Sequence, residues 1–306
     1  MDPINQSIIG IKINGPVSMK PSHLSFEFFP PRTPEGLEKL QGVAEQLLSF
    51  NPDCFTVTFG AGGSTRQKTL ETVNLVQSKT NKPIAAHLSC IDSTRENILA
   101  LCQSYLASGV SHLVCLRGDV PSGMGSQEVG ELKYANELVS FIKENFNNKF
   151  HIAIAAYPEY HPQSVSPEQD FLNFKNKAQA GADCAYTQYF YNPDAYFYFL
   201  DQCQKHEINI PIIPGIMPIL NFSQIARFSD ACGAEIPRWI RKRLEKFDEN
   251  NPRDLESLRS FGQEMVSKLC EKLIQGGAPG LHFYTMNQYA ATAGILEIYN
   301  FDRNCV

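Results

Sequence analysis

Short apolar runs recur along the chain, and small, β-branched and aromatic residues follow one another in them without a helical period. The eight runs are 24–29 (LSFEFF), 54–59 (CFTVTF), 84–90 (IAAHLSC), 112–119 (HLVCLRGD), 151–157 (HIAIAAY), 183–190 (DCAYTQYF), 210–216 (IPIIPGI) and 280–285 (GLHFYT). The first seven runs begin about 30 residues apart, which is close to the length of one βα unit. Each run therefore predicts one buried strand of a parallel sheet.

Apolar residues at helical spacing fill the segments between these runs, for example over 37–48, 98–106 and 132–142. Strands that alternate with helices favour parallel strands joined by right-handed crossovers. Eight such units predict a (β/α)8 TIM barrel, which needs about 250 residues. The competing arrangement, a doubly wound open sheet, usually carries GxGxxG after its first strand, where this chain reads FFPPRTPEG.

We therefore predict an α/β fold with a single (β/α)8 barrel domain over residues 1–306, including a short N-terminal extension. About 70 residues separate the starts of the last two strands. This gap predicts extra helices before the last strand, at about 236–247 and 253–275. The inserted helices suit either a subunit contact in a homo-oligomer or packing on the barrel, because both give the same helical pattern.

Composition narrows the classes of protein that fit this pattern. Apolar residues make up 43% of the 306 residues, enough for a large core, and the net charge of −5 gives no electrostatic reason to expect a nucleic-acid partner. No apolar run is long enough for a membrane-spanning helix, and the N-terminus lacks the pattern of a secretory signal. The nine cysteines show no CxxC spacing, so we expect no metal site and no disulfide framework, but reduced thiols in the cytoplasm.

Polar side chains stand where the predicted strands end, and catalytic residues of TIM barrels collect at the C-terminal ends of the strands. The polar strand ends are Glu27, Thr58, His87, Arg117, Asp119, Tyr157, Gln188 and Tyr284. Buried polar groups are unfavourable unless they are paired, so the set as a whole predicts a functional site. For any single member, a hydrogen bond within a loop is the alternative.

Glu27 is the most specific of these candidates. Side chains alternate along a strand, so Phe26 and Phe28 should face the helices while Glu27 faces the barrel interior. Partial desolvation there predicts a raised pKa and a role as general acid. A structural ion pair with Arg32 or Arg117 is the alternative.

Three further features suit ligand binding. Arg117 and Asp119 place two charges beside Gly118, where a ligand can approach the backbone closely. The glycine-rich turn at 60–63 suits an anion, but it lacks the GK[ST] of a nucleotide P-loop. His87 has no second ligand at metal spacing, so a hydrogen-bonding role is favoured over metal binding.

Taken together, the motifs resemble those of a known family. FEFFPP, VTFGAGG, AHLSCID, LRGD, AAYPEYHP, NKAQAGAD, TQYFY, IPGIMP and HFYTMN are similar to motifs of the short, bacterial type of methylenetetrahydrofolate reductase, a flavin-dependent (β/α)8 barrel. The resemblance extends from about Leu24 to Ile298. It implies reduction of 5,10-methylenetetrahydrofolate to 5-methyltetrahydrofolate in one-carbon metabolism and methionine supply, with FAD as cofactor and NADH or NADPH as electron donor. The short form resembles enzymes that use NADH.

The resemblance also implies roles for individual residues. Glu27 corresponds to the catalytic acid and Asp119 to a catalytic aspartate beside the flavin ring. The positions implied to bind FAD are Thr58, Ala61, His87, Arg117, Gly118, Asp119, Tyr134, Ala135, Tyr157, His161, Asp170 and Lys177. Those implied to bind the folate or the nicotinamide are Gln188, Gln224, Phe228 and Tyr284.

One position departs from the family pattern. The family usually reads HFYTLNR and this chain reads HFYTMNQ, so Gln288 replaces an arginine that is associated with the folate. Loss of a charged, bidentate donor predicts weaker recognition of a carboxylate-bearing tail unless another basic side chain compensates.

The resemblance leads to the hypothesis of a two-step exchange in one site. Reduced nicotinamide passes a hydride to FAD and leaves, and the folate then binds in its place and accepts the hydride. Protonated Glu27 would give a proton to the departing amine of the folate ring, and Asp119 would stabilise the cationic iminium. Two alternatives are a pterin-binding synthase or methyltransferase without flavin, which would be colourless, and a non-catalytic barrel, which would show no turnover.

Overall fold

The computed structural model of this chain describes residues 22–59, 63–91, 93–118 and 130–298. Parallel strands alternate with helices through these ranges. The strands are β1 Leu24–Phe28, β2 Cys54–Val57, β3 Ile84–Ser89, β4 His112–Leu116, β5 His151–Ala156, β6 Cys184–Thr187, β7 Ile212–Ile213, β8 Gly215–Ile216 and β9 Leu281–Tyr284. The α-helices are α1 Pro34–Leu47, α2 Gly63–Thr80, α3 Arg95–Ala107, α4 Ala135–Phe146, α5 Pro167–Gln179, α6 Pro193–Lys205, α7 Phe222–Cys232, α8 Arg238–Leu244, α9 Pro252–Gln275 and α10 Tyr289–Ile298.

The strands form one nearly closed barrel. Their order is β7-β6-β5-β4-β3-β2-β1-β9-β8, and every pair is parallel. β7 and β8 are two pieces of the run 210–216, divided at Pro214, which has no N–H to donate to a ladder. β7 pairs with β6 and β8 with β9, so this divided strand stands between the sixth and the last strand. The predicted barrel is confirmed, with its seventh strand split in two.

The inserted helices lie where the sequence predicts them. α8 and α9 match the segments expected near 236–247 and 253–275, and α7 precedes them. Ile240 and Leu244 of α8 are fully buried, whereas Trp239 is exposed. No helix in the described ranges is long and apolar enough to cross a membrane.

Side-chain alternation along β1 separates the outer core from the barrel interior, as predicted. Phe26 and Phe28 are buried under the helices, and the ring of Phe28 stacks on Phe55 with 5.7 Å between centroids. A separate interior cluster takes one side chain or more from each of β2 to β7. Its members are Cys54, Ala85, Val114, Ala153, Cys184, Tyr186 and Ile213. This small apolar layer fills the barrel and supports the polar side chains that follow it.

Candidate active site

The polar residues at the strand ends come together on one rim, because the carboxyl ends of parallel strands in a barrel meet at the same face. Glu27 lies within β1, His87 within β3 and Tyr284 at the end of β9. Thr58, Arg117, Gly118, Tyr157 and Gln188 directly follow β2, β4, β4, β5 and β6. Ala61 and Asp119 lie outside the described residues, as does most of the glycine-rich turn at 60–63.

Glu27 is the centre of a buried hydrogen-bonding group. Its Oε2 lies 3.2 Å from Nε2 of His87 and 3.3 Å from Nε2 of His282, and its side chain is 14% exposed. The hydroxyl of Thr56 donates to the same oxygen over 3.4 Å. The partners of this carboxyl in the described structure are thus two imidazoles and one hydroxyl, not Arg32 or Arg117.

The pKa of Glu27 is lowered, so the expectation of a raised pKa is wrong. Burial by itself would raise the pKa of this carboxyl. The charge of His87 and the hydrogen bonds from both imidazoles outweigh burial and lower the pKa to about 2. Glu27 is therefore a carboxylate held between two rings, each able to carry a proton at the nitrogen that faces it.

His282 is a site residue that the pattern of polar strand ends does not indicate. Its ring is fully buried, its Nδ1 lies 2.8 Å from the hydroxyl of Ser25, and Tyr186 stacks on it with 4.1 Å between centroids. These contacts leave Nε2 directed at Glu27. The signal was present in the alternation of HFYT, which puts His282 on the same face of β9 as Tyr284.

Tyr284 forms one wall of this group. Its hydroxyl donates to the carbonyl of Thr187 over 2.7 Å, and its ring meets His282 edge-on with 5.2 Å between centroids. The turn after β9 is tied to the end of β1. The hydroxyl of Thr285 donates to the carbonyl of Glu27 over 2.6 Å, and the side-chain amide of Asn287 donates to the carbonyl of Phe29 over 2.8 Å.

A cavity of about 430 Å³ opens beside the ends of β4 and β5. It brings together eight of the positions that the resemblance implies for FAD. They are Arg117, Gly118, Tyr134, Ala135, Tyr157, His161, Asp170 and Lys177. These residues come from two strand ends and two helices, so only the folded barrel assembles them.

The charged side chains of this cavity are partly desolvated. Burial lowers the pKa of Lys177 to about 8, against the opposing effect of Asp170, and its amine donates to the carbonyl of Ala155 over 2.6 Å. Burial likewise raises the pKa of Asp170, whose carboxylate accepts from the backbone N–H of His161 over 3.1 Å. The guanidinium of Arg117 donates to the side-chain carbonyl of Gln163. The cavity thus carries two cations and one carboxyl.

Gly118 is required by the close contact of two strand ends. Its φ of +87° is a conformation that favours glycine, and a Cβ there would lie 1.9 Å from the hydroxyl oxygen of Ser89. That hydroxyl donates to the carbonyl of Arg117 over 2.8 Å. The backbone of the LRGD motif is therefore held against β3, with no side chain between it and the cavity.

The remaining predicted substrate residues are less directly connected to Glu27. Gln188 accepts from the N–H of Tyr189 with its own side chain, and Gln224 contacts Asn221 at the start of α7. α7 is joined to the site wall by the hydroxyl of Tyr189, which lies 3.0 Å from that of Ser229. Among the described residues, no hydrogen bond or ring contact joins Gln224 or Phe228 to Glu27. Thr58 forms the backbone end of β2, and its N–H donates to the carbonyl of Phe28.

The described part of the chain contains no candidate metal site. No group of three or more histidine, cysteine, aspartate or glutamate side chains there is placed to hold an ion.

Comparison with known proteins places this geometry in a family. The family model of methylenetetrahydrofolate reductase matches residues 12–300. The 5,10-methylenetetrahydrofolate reductase of Escherichia coli is 36% identical over 287 residues, which cover 94% of this chain and 91% of that protein. The enzyme of the same name from Buchnera aphidicola subsp. Schizaphis graminum is 39% identical over 275 residues, covering 90% and 91%.

A solved structure shares the fold. It is described as a protein from Clostridium thermocellum that binds two copies of 5-methyl-5,6,7,8-tetrahydrofolic acid, and it matches with a TM-score of 0.63 over 93% of this chain and 97% of its own. Its sequence identity of 17% supports a common fold alone. The extent and identity of the sequence matches decide the family: this chain belongs to the methylenetetrahydrofolate reductases.

Proposed function

We propose that this chain reduces 5,10-methylenetetrahydrofolate to 5-methyltetrahydrofolate with a hydride that NADH delivers through bound FAD, in a two-step exchange at one site. Membership of the family supports the reduction itself. The observation that carries the proposal is the buried group of Glu27, His87 and His282 on the same rim as the cavity of about 430 Å³.

The residues of that cavity fit a flavin dinucleotide. Arg117 and Lys177 offer two cations for phosphate oxygens, and the bare backbone at Gly118 allows close approach. Tyr157 and His161 pack edge to face with 4.6 Å between centroids and give the cavity an aromatic wall. Bound FAD supplies storage of a hydride, which no protein side chain provides. For Asp119 we propose the role that the resemblance implies, a catalytic aspartate beside the flavin ring.

Glu27 and its two imidazoles would supply the proton that the departing amine of the folate needs. With its pKa lowered to about 2, the Glu27 carboxyl is ionised at neutral pH, so it holds no proton of its own to donate. An imidazole nitrogen lies within 3.3 Å of its Oε2 on either side, so a proton held by His87 or His282 can pass through that oxygen. Ser25 and Tyr186 keep the His282 ring in place for this transfer.

A visible spectrum tests the proposal in one cuvette. The purified protein should be yellow, should bleach on anaerobic addition of NADH, and should recover its colour when methylenetetrahydrofolate follows. A colourless protein that takes up no added FAD would refute the flavin step. Bleaching without recovery would refute the folate step, and the absence of both changes with FAD bound would favour a non-catalytic barrel.

The choice of nicotinamide, the subunit assembly and the location are further parts of the proposal. We expect a higher kcat/KM with NADH than with NADPH, measured by steady-state oxidation of each. We expect a homo-oligomer that uses the exposed faces of α8 and α9, measured by light scattering, and a cytoplasmic location.

A further inference from the structure

A second, smaller cavity lies on the same rim of the barrel. It has a volume of about 200 Å³ and separates the segment after β8 from the segment after β9. Pro218, Ile219 and Leu220 form one side and Gln288 the other, while Arg259 reaches in from α9. Arg259 is the charged residue of this lining, Gln263 and Gln288 are polar, and the other lining residues are apolar.

Close packing of α9 on the segment after β8 holds Arg259 in this position. A Cβ at Gly262 would lie 2.8 Å from Cβ of Ile219, which is too close for another residue type. Glycine at this position therefore allows α9 to pack directly against the segment after β8. Arg259, one turn earlier on the same helix face, donates from its Nε to the carbonyl of Leu220 over 3.3 Å. This bond orients the guanidinium of Arg259, whose side chain is exposed, and leaves its two terminal nitrogens for another acceptor.

No carboxylate in the described ranges takes those nitrogens. Among the residues that the structure describes, the salt bridges are formed by lysine and histidine side chains, and Arg259 has no acidic partner. A tethered arginine without an acidic partner at the wall of a cavity is suited to a carboxylate ligand, which its planar fork can bind through two parallel hydrogen bonds.

The cavity is connected to the reaction centre by a short path. The backbone N–H of Gln288 donates to the carbonyl of Thr285 over 2.9 Å, and the hydroxyl of Thr285 donates to the carbonyl of Glu27 over 2.6 Å. A folate carries its reacting pterin ring at one end and its glutamate carboxylates at the other. With the pterin ring near Glu27, the tail has to leave across this rim.

We propose that Arg259 binds a carboxylate of the substrate's glutamate tail, with Gln288 as a neutral hydrogen-bonding partner on the opposite wall. This inference rests on the proposed function, because it takes the folate as the ligand. It makes Arg259 a determinant of substrate affinity that is separate from proton and hydride transfer. Arg259 supplies the positive charge that Gln288 lacks.

The test compares Arg259→Gln with the wild-type holoenzyme on two substrates. One is methylenetetrahydrofolate, and the other is the corresponding methylenetetrahydropteroate, which lacks the glutamate. The KM for the first should rise about tenfold in the variant, because a charge-assisted hydrogen bond is lost, whereas the KM for the second should not change. Arg259→Lys should recover part of the affinity. Arg253→Gln, at the exposed start of the same helix, is the matched control and should leave both KM values unchanged.

Several outcomes would overturn the inference. Equal KM values for Arg259→Gln and the wild type on the glutamyl substrate would do so, and so would a rise of the same size for both substrates, since that indicates a structural role. A change confined to the KM for NADPH would assign the cavity to a phosphate. If the wild type shows no turnover, the proposed function fails, and calorimetric titration of 5-methyltetrahydrofolate and 5-methyltetrahydropteroate still tests Arg259: only the glutamyl ligand should bind about tenfold more weakly to the variant.

Discussion

Replacing Glu27 with glutamine removes the charged oxygen that lies within 3.3 Å of both His87 and His282. Glutamine preserves the size of the side chain but cannot relay a proton. We expect reoxidation of the reduced flavin by methylenetetrahydrofolate to slow by about 10²–10⁴, the usual contribution of a general acid. Reduction of the flavin by NADH needs no proton from this group and should be retained.

The same substitution has a stability effect that can be estimated from the structure. A pKa lowered from 4.5 to about 2 corresponds to about 3 kcal/mol in favour of the ionised carboxyl in the folded state. This contribution is present above the ordinary pKa of 4.5 and is lost as the pH falls towards 2. Glu27→Gln should therefore lower the melting temperature most near neutral pH and least in acid.

Anaerobic stopped-flow absorbance of the flavin measures the two half-reactions separately, and thermal unfolding over a pH series measures the stability. Glu264→Gln is a matched control, because Glu264 forms an exposed ion pair with Lys268 on α9. The proposed role of Glu27 is refuted if both half-reactions slow by the same factor. If the difference in melting temperature between the wild type and Glu27→Gln grows as the pH falls, the conclusion that Glu27 is ionised in the folded state is refuted.

Three further substitutions probe other parts of the rim. Lys177→Met removes an amine whose pKa is lowered to about 8 by burial. The wild type should therefore gain stability between pH 8 and 10, and the variant should not. FAD titration of the variant should show weaker binding. Gly118→Ala places a methyl group against Ser89 at positive φ and should lower both the melting temperature and the affinity for FAD, with Gly42→Ala, where a Cβ meets nothing within 4 Å, as the control. Burial raises the pKa of Glu159 to about 7, so the wild type should lose stability as the pH rises through 7, and Glu159→Gln should flatten that loss in a thermal unfolding series.

The barrel could be predicted from the sequence because each strand and each helix has its own pattern of apolar residues within a short segment of the chain. Buried parallel strands are short apolar runs, and the helices that cover them repeat at 3.6 residues, so neither depends on distant parts of the chain. The division of the seventh strand was not apparent, since IPIIPGI is one apolar run. Only its hydrogen bonds show that Pro214 separates a piece paired with β6 from a piece paired with β9.

The candidate site was predicted less completely, because its contacts join residues that are far apart in the chain. Alternation along β1 correctly puts Glu27 in the interior, but it does not show which side chains face it there. His282, 255 residues away, meets Glu27 only because β9 pairs with β1. The direction of the pKa change depends on that neighbour and on His87, so burial alone gave the wrong sign.

The position of His282 also links the chemistry of the site to completion of the fold. β9 lies between β1 and β8 and is the last strand of the described sheet, so Glu27 gains its second imidazole only when the barrel closes. Without β9, His87 would remain beside Glu27, while the hydrogen bond from His282 and the hydroxyl of Thr285 on the Glu27 carbonyl would be lost. The smaller cavity also depends on β9, because its lining residue Arg259 lies in the helix before β9 and Gln288 lies in the turn after it. The proposed proton transfer and the proposed recognition of the substrate tail therefore both depend on the pairing of β9 with β1.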